Sequence, residues 1–319
     1  MSIVQRADLV AEPSIDQGLS TPVALIIFNR PEPTAAVFAA IATARPKILL
    51  IISDGARPGR AGEAEKVAAV RAIVEAVDWP CDVRTNHAAV NMGCKLRVSS
   101  GIDWVFSQVD RAIILEDDCL PSPAFFRFAE EMLDRYAEDR RIYSISGSNF
   151  SDSQAADGHY FSNFALMWGW ATWRDRWADY DVEPEMPTAE LRHMWWRQPI
   201  SWLYWHKIFR KLTSGGIDTW DYQWMLTVWR NGALTVRPAV NLVQNIGFGA
   251  DATHTTGADN EIARMTAWNG NASLAEPLTG VHADRARDAI DAERWGLINW
   301  KSALLMHFPW LSRSKWTRL

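Results

Sequence analysis

Three consecutive acids, Glu116, Asp117 and Asp118, stand directly after a short apolar run at 113–115. An apolar run that ends in a proline-containing turn predicts a buried strand, and open α/β sheets bind ligands at the carboxyl ends of their strands. Adjacent carboxylates repel one another, so a hard divalent cation such as Mg²⁺ or Mn²⁺ would stabilise them and share its other positions with water and substrate phosphates. The triplet therefore predicts a metal and phosphate site, and a solvated acidic turn is the alternative.

Polar residues also follow the first two predicted strands. Asn29 and Arg30 come after the first strand, where an arginine can pair with a phosphate or stack on a base. Asp54 comes after the second, where its carboxylate can accept a hydrogen bond from a ribose hydroxyl or a base N–H. The alternatives are a surface arginine beside a turn and a turn aspartate, since Gly55 follows Asp54. Lys95 opens a later predicted helix, where it suits an anion unless it lies on a solvated face.

Two segments in the second half of the chain contain candidates for general-base and ligand chemistry. A glycine pair at 215–216 leads into Asp218 and Asp221, which have aromatic neighbours. Partial desolvation suits an aspartate to act as a general base, and a helix cap is the alternative. A glycine-rich loop at 245–254 ends in His254, which can complete a metal shell or contact a diphosphate. A structural or solvent-exposed histidine is the alternative there.

Tryptophan is the anomaly of the composition, because the chain has 18 and eleven of them lie between Trp168 and Trp229. Indole rings bury a large apolar area, and their flat faces also stack on sugar rings. We therefore expect most of them in the core and two or three against a ligand. The segment Trp168-Gly169-Trp170 needs its glycine for backbone geometry or for close approach of a ligand, unless it is a packed aromatic helix start.

The order of the predicted elements indicates the fold class. Apolar, β-rich runs alternate with helical segments, which is typical of βαβ units in a mostly parallel sheet with helices on its faces. The predicted strands are 23–28, 47–52, 81–85, 112–116 and 142–146, and the predicted helices are 33–44, 63–77, 95–108 and 123–136. We therefore predict an α/β fold, followed from about residue 150 by an aromatic, irregular half with short helices and turns.

The chain divides into a flexible leader at 1–20, an α/β half at 21–150, an aromatic half of the same domain at 151–256 and a C-terminal extension at 257–319. From residue 295 onward the extension has many apolar residues, four basic residues and no acid. That pattern predicts a helix that either docks on an anionic membrane surface or packs on the domain.

Composition excludes several classes of protein. A net charge of −5 gives no global electrostatic case for nucleic acid. Three cysteines without CxxC spacing indicate a reducing compartment and no thiolate metal site. No secretory signal and no long apolar run is present, so we expect a cytoplasmic protein, with peripheral membrane contact if the C-terminal segment docks. Neither the GxGxxG nor the P-loop fingerprint occurs where its fold requires it.

Six segments, taken in order over roughly 22–256, resemble those of the GT-A nucleotide-sugar glycosyltransferases, in particular the N-acetylglucosaminyltransferase I type and its bacterial relatives. They are FNRP at 28–31, SDG at 53–55, EDDCLPSPAFFRF at 116–128, WGWATW at 168–173, WDYQWM at 220–225 and RPAVNLVQNIGFGADATH at 237–254. The conserved order of all six is more specific than any one of them. The resemblance implies a GT-A fold, a nucleotide-diphosphate sugar donor with UDP favoured, and bound Mn²⁺ or Mg²⁺.

On the donor side, the resemblance implies that Asp118 ligates the metal. Glu116 and Asp117 would contact the nucleotide sugar or hold the loop. The loop that contains Asn29 would contact the base, and Asp54 would bind the nucleoside.

On the acceptor side, the resemblance places 168–170 and Trp220 near the acceptor and makes Asp221 the base. The family has two acids between its tryptophans, whereas here three residues separate Trp220 from the next tryptophan. The match therefore selects Asp221 only if the register starts from Trp220, and Asp218 is the fallback.

Together these features predict a metal-dependent inverting glycosyltransferase that moves a sugar to a hydroxyl of a glycan or lipid-linked acceptor. A sugar nucleotidyltransferase is one alternative, although it usually needs a glycine-rich basic loop where this chain has Asn29 and Arg30. A non-catalytic carbohydrate-binding protein that uses the tryptophans is another. A glycosidase with paired carboxylates is a third, and the acids at a strand end suit a metal better.

Overall fold

The structure is a computed structural model that describes residues 18–150, 158–197, 199–247, 265–270 and 280–294. Its first part alternates strands and helices as the hydrophobic pattern predicts, apart from a three-residue strand at 119–121 that was not predicted. The elements are β1 (Val23–Ile27), α1 (Pro31–Ala44), β2 (Ile48–Ser53), α2 (Glu63–Glu75), β3 (Asp82–His87), α3 (Gly93–Gln108), β4 (Arg111–Glu116), β5 (Cys119–Pro121), α4 (Pro123–Arg135) and β6 (Ile142–Ser146). Prolines occupy the first turns of α1 and α4, where a missing N–H costs no helical hydrogen bond.

The second part also contributes strands, which the predicted pattern of short helices and turns missed. Each strand is only three to five residues long, which is too short for an alternation of apolar and polar residues to be recognised in the sequence. The elements are β7 (His159–Ser162), β8 (Trp170–Trp173), α5 (Arg174–Trp177), α6 (Thr188–Arg197), α7 (Pro199–Thr213), α8 (Asp221–Arg230), β9 (Leu234–Pro238), β10 (Val243–Asn245) and α9 (Arg285–Arg294).

Eight strands of the described residues form one sheet in the order β3-β2-β1-β4-β8-β6-β9-β7. Four of its seven pairings are parallel, including the run from β3 to β4, so the predicted α/β fold with a mostly parallel sheet is confirmed. The register pairs Ile27 with Ser53 and Ile26 with Glu116. The carboxyl ends of β1, β2 and β4 therefore meet at one edge of the sheet. β5 and β10 form a separate antiparallel pair beside that edge.

Both faces of the central strands are buried, which explains their nearly continuous apolar sequences. Alternate residues of β1 point to opposite faces. Val23 and Leu25 belong to the cluster that contains Phe38 of α1, whereas Ala24 packs in the cluster that contains Trp224 of α8. The aromatic second half of the chain thus packs on one face of the sheet whose parallel strands β1 to β4 come from the first half.

Tryptophan rings form much of the second cluster. The ring of Trp170 is fully buried, and its centroid lies 5.5 Å from that of Trp220 and 5.4 Å from that of Trp224. Trp177 stacks on Tyr180 at 4.2 Å. These rings bury a large apolar area in offset and tilted contacts, as aromatic pairs prefer.

Helix α9 packs on the far edge of the sheet through two acids. Asp291 forms an ion pair with Arg237 of β9, and both side chains are fully buried. Asp288 accepts hydrogen bonds from the hydroxyl of Ser162 and the side-chain amide of Asn163 at the end of β7. The part of the predicted C-terminal extension that the structure describes is thus attached to the sheet. The leader at 1–17 and the segment at 295–319 lie outside the described residues, among which no helix has the length and apolarity needed to cross a membrane.

Candidate functional site

The acid triplet lies at the carboxyl end of β4, as predicted, and Arg30 binds two of its members. The guanidinium of Arg30 forms an ion pair with Asp117, and its Nη1 lies 3.0 Å from Oδ2 of Asp118. The backbone N–H of Phe28 also donates to Asp117 Oδ2 at 3.3 Å. The loop after β1 therefore holds the turn after β4. The sequence suggested phosphate or base as the partner of Arg30 and contained no signal for this pairing.

Burial and nearby negative charges raise the pKa values of Glu116 and Asp117. Burial raises the pKa of Glu116 to about 8, and the charges of Asp118, Asp117 and Asp221 add to this shift. Burial also raises the pKa of Asp117 to about 6, against the opposing effect of Arg30. One arginine therefore does not neutralise this cluster, and an additional cation would favour the ionised carboxylates.

The end of β10 passes directly over the triplet. The backbone N–H of Ile246 donates to the carbonyl oxygen of Asp118 at 2.8 Å. A Cβ at Gly247 would lie 2.8 Å from Nη1 of Arg30 and would also collide with the carboxylate of Asp118. Only a glycine allows the backbone to approach the acids this closely. The predicted glycine-rich loop at 245–254 thus starts at the acids, while His254 at its other end lies outside the described residues.

Asp54 holds the turn that precedes α3. Its buried carboxylate accepts hydrogen bonds from the backbone N–H groups of Gly55 at 2.8 Å, Met92 at 2.9 Å and Gly93 at 3.3 Å. The side-chain amide of Asn91 donates to it at 2.9 Å. This geometry matches the turn aspartate of the alternative interpretation, and the contact between Asp54 and a nucleoside stays a prediction.

Asp218 and Asp221, the two candidates for a base, have different surroundings. The oxygens of Asp218 accept hydrogen bonds from the backbone N–H groups of Cys94 and Lys95, each at 3.0 Å. Asp221 is the first residue of α8 and accepts hydrogen bonds from the hydroxyl of Thr219 and from a backbone N–H. Its charge contributes to the raised pKa of Glu116 at the end of β4, whereas both oxygens of Asp218 are engaged in capping α3.

Two predicted donor-side residues bind other side chains of the protein. The amide nitrogen of Asn29 donates to Glu63 Oε1 at 3.0 Å, and Lys95 forms an ion pair with Glu183. Glu63 is buried, and hydrogen bonds from Arg57 lower its pKa to about 2. Sequence pattern does not distinguish Glu63 as a candidate site residue. Acids are common in the first turn of a helix because the helix dipole favours negative charge there.

The tryptophans proposed for the acceptor side divide into two groups. Trp168 is partly exposed, and its ring contacts Phe150 with 5.5 Å between the centroids. Trp170 and Trp220 are 0% and 2% exposed, and their placement near an acceptor stays a prediction. They stack on each other because large aromatic side chains gain most by burial. Gly169 has a φ of +63°, and a Cβ there would lie 2.7 Å from a methyl group of Val243, so it serves backbone geometry and packing.

The carboxylate of Asp118 is the predicted metal ligand, and Arg30 already contacts its Oδ2. It is partly exposed, and its Oδ1 lies 3.5 Å from Sγ of Cys119. Within the described ranges, no group of three or more His, Cys, Asp and Glu side chains is arranged to hold a metal ion by itself. Mg²⁺ and similar ions are commonly held by one or two carboxylates together with water and substrate phosphates, so a single such ligand is compatible with the predicted site.

Comparisons with known proteins identify no family for this chain. Neither a protein-family model nor a curated protein matches the sequence. Among solved structures, the chain is similar to a UDP-glucose pyrophosphorylase complexed with UDP-glucose, at 7% identity and a TM-score of 0.35. That match covers 68% of this chain and 89% of the other. So slight a likeness carries no argument about activity, and the function has to be inferred from the site itself.

Proposed function

We propose that this chain is a metal-dependent inverting glycosyltransferase. It transfers a sugar from a nucleotide-diphosphate donor, with UDP favoured, to a hydroxyl of a glycan or a lipid-linked acceptor. The observation that carries the proposal is the convergence of acids from both halves of the chain. Asp218, three residues before Asp221 in the aromatic half, accepts hydrogen bonds from Cys94 and Lys95 at the start of α3, where Asp54 at the end of β2 also binds. The charge of Asp221 also contributes to the raised pKa of Glu116 at the carboxyl end of β4.

Asp221 has a setting that suits a general base. The pKa values of Tyr180 and Tyr222 are raised by burial first and by the charge of Asp221 second, so this carboxylate lies beside poorly solvated groups. As the acceptor oxygen attacks the anomeric carbon, Asp221 takes the hydroxyl proton. The bond from that carbon to the diphosphate breaks, and its electron pair leaves with the diphosphate. Attack from the opposite face inverts the configuration, through an oxocarbenium-like state.

Asp118 is the residue that would hold Mn²⁺ or Mg²⁺, which when bound neutralises charge on the leaving diphosphate. Arg30 keeps Asp117 and Asp118 in place from the β1 side. Asn29, Asp54 and Lys95 line the loops at the ends of β1, β2 and the start of α3, and we keep them as candidates for donor binding. Trp168 is the candidate for acceptor contact.

Calorimetric titration with UDP, in Mn²⁺ and in chelator, tests the donor site. We expect wild-type protein to bind UDP more tightly with Mn²⁺ and the Asp118→Ala variant to lose that difference. The matched control is Asp110→Ala, because Asp110 is an exposed acid at the opposite end of β4 and pairs with Arg174. Equal affinity in Mn²⁺ and chelator, or unchanged behaviour of Asp118→Ala, would refute the role of the metal.

Product analysis separates the proposed activity from its rivals. Incubation with a panel of UDP-sugars and Mn²⁺ should release UDP, by transfer or by slow hydrolysis. Release of pyrophosphate from a nucleoside triphosphate and a sugar phosphate would instead identify a nucleotidyltransferase. Binding of glycans without any turnover would identify a carbohydrate-binding protein. Peripheral membrane contact through 295–319 stays a prediction, because this segment lies outside the described residues.

A further inference from the structure

The first turn of α3 is capped by two aspartates that come from opposite sides of the site. Four consecutive backbone N–H groups, at 92–95, would lack partners at a helix start. Asp54 accepts the first two, from Met92 at 2.9 Å and Gly93 at 3.3 Å. Asp218 accepts the next two, from Cys94 and Lys95, both at 3.0 Å. The helix start therefore joins the end of β2 to the loop before α8.

The contact between Asp218 and α3 is close and spans 124 residues of sequence. Gly93 has a φ of +80°, and a Cβ at this position would lie 2.8 Å from Oδ2 of Asp218. A side chain at residue 93 would therefore push the carboxylate away from the helix. The charge of Asp218 is also favourable where it lies, because the amino end of a helix carries a partial positive charge.

The chain between Asp218 and Asp221 is fixed at each residue. The hydroxyl of Thr219 donates to the carboxylate of Asp221, and the carbonyl of Thr219 accepts from the side chain of Gln223 at 2.7 Å. The ring of Trp220 is buried, and its carbonyl accepts from the hydroxyl of Tyr180 at 3.1 Å. Because these contacts hold the intervening residues, a shift of Asp218 would also move the carboxylate of Asp221.

We propose that Asp218 is a positioning residue, which sets the base Asp221 against the donor side by binding the start of α3. This inference rests on the proposed function, in which Asp221 is the base. Asp54 orders the same turn from the donor side, so the two aspartates together fix the distance between donor loop and base. Loss of Asp218 should reduce kcat by roughly 10- to 100-fold, since misplacement of a catalytic group by about 1 Å has effects of that size. Donor affinity should change little.

A double-mutant cycle distinguishes positioning from general support of the fold. Asp218→Ala is made in wild-type protein and in the Asp221→Asn variant, and kcat and KM for the UDP-sugar are measured in each. A residue that acts through Asp221 should lower kcat in wild type and have no further effect once Asp221 is replaced. The matched control is Asp284→Ala, which removes the cap of α9, where one carboxylate accepts backbone N–H groups of Ala286 and Arg287 at 3.1 Å each.

Hydrogen exchange supplies a readout that does not need turnover. Asp218→Ala should raise exchange in peptides that cover 92–95 and 219–224, whereas Asp284→Ala should not. The inference is overturned by unchanged exchange at 219–224, by an equal loss of kcat in both backgrounds, or by a rise in KM alone. If wild-type protein neither transfers nor hydrolyses any UDP-sugar, the proposed function fails instead, and the exchange data still decide whether Asp218 orders the segment of Asp221.

Discussion

His159 provides a quantitative prediction about stability. Its ring is buried in β7, and its Nε2 lies 2.7 Å from the hydroxyl of Tyr136. Burial, followed by the charge of Arg135, lowers the pKa of His159 from 6.5 to about 4. The neutral form is thus favoured in the folded protein, while the unfolded chain takes up a proton below pH 6.5. The stability contributed by this group is fully present above pH 6.5 and is lost as the pH falls towards 4.

The magnitude follows from the pKa difference of about 2.5 units. At about 1.36 kcal/mol per unit, His159 should contribute about 3 kcal/mol less to the free energy of unfolding at pH 4 than at pH 7. Other groups titrate in the same range with the opposite sign. The raised pKa values of Glu116 and Asp117 mean that these carboxylates add stability as the pH falls. The effect of His159 therefore has to be measured as a difference between variants.

Urea unfolding of wild type and His159→Gln between pH 7 and pH 4 measures that difference. Glutamine keeps a polar group for Tyr136 but does not titrate, so the variant should lack the part of the pH slope due to His159. The difference between wild type and His159→Gln in the free energy of unfolding should therefore change by about 3 kcal/mol between pH 7 and pH 4. His282→Gln, at an exposed histidine, serves as the control and should follow wild type. Parallel curves for wild type and His159→Gln would refute the reasoning.

Three further predictions concern the site and the attachment of α9. Asp221→Asn should lower kcat by about 10²–10⁴-fold with donor affinity nearly intact, and steady-state kinetics with wild-type turnover would contradict its role as the base. Asp291→Asn should destabilise the fold by about 3–5 kcal/mol, because it leaves the buried charge of Arg237 without its counter-charge; a shift of less than about 1 kcal/mol in urea unfolding would contradict this. Gly93→Ala should reproduce the loss of kcat seen for Asp218→Ala, since its Cβ would displace that carboxylate, and unchanged kcat would show that the contact is dispensable.

Local pattern in the sequence was sufficient for nine of the ten elements of the first half, and it missed the three-residue strand β5. β4 ends at Glu116 as its apolar run predicts, and α4 begins at Pro123 as predicted. Apolar runs and helix-start signals act over a few residues, so they can be recognised without knowing the fold. The same local signals identified the acids at the strand end as candidates for chemistry.

Tertiary structure decided which polar groups meet and which aromatic rings remain accessible. The binding of Asp117 and Asp118 by Arg30, and the capping of α3 by Asp218, join residues about 90 and more than 120 positions apart. No local spacing encodes such contacts, because they depend on how strands are ordered in the sheet. The stacking of the buried Trp220 ring on Trp170 depends on the same long-range packing. The sequence by itself therefore determined the class of fold and the candidate acids, while three-dimensional packing determined the partner of each acid and the free surface around them.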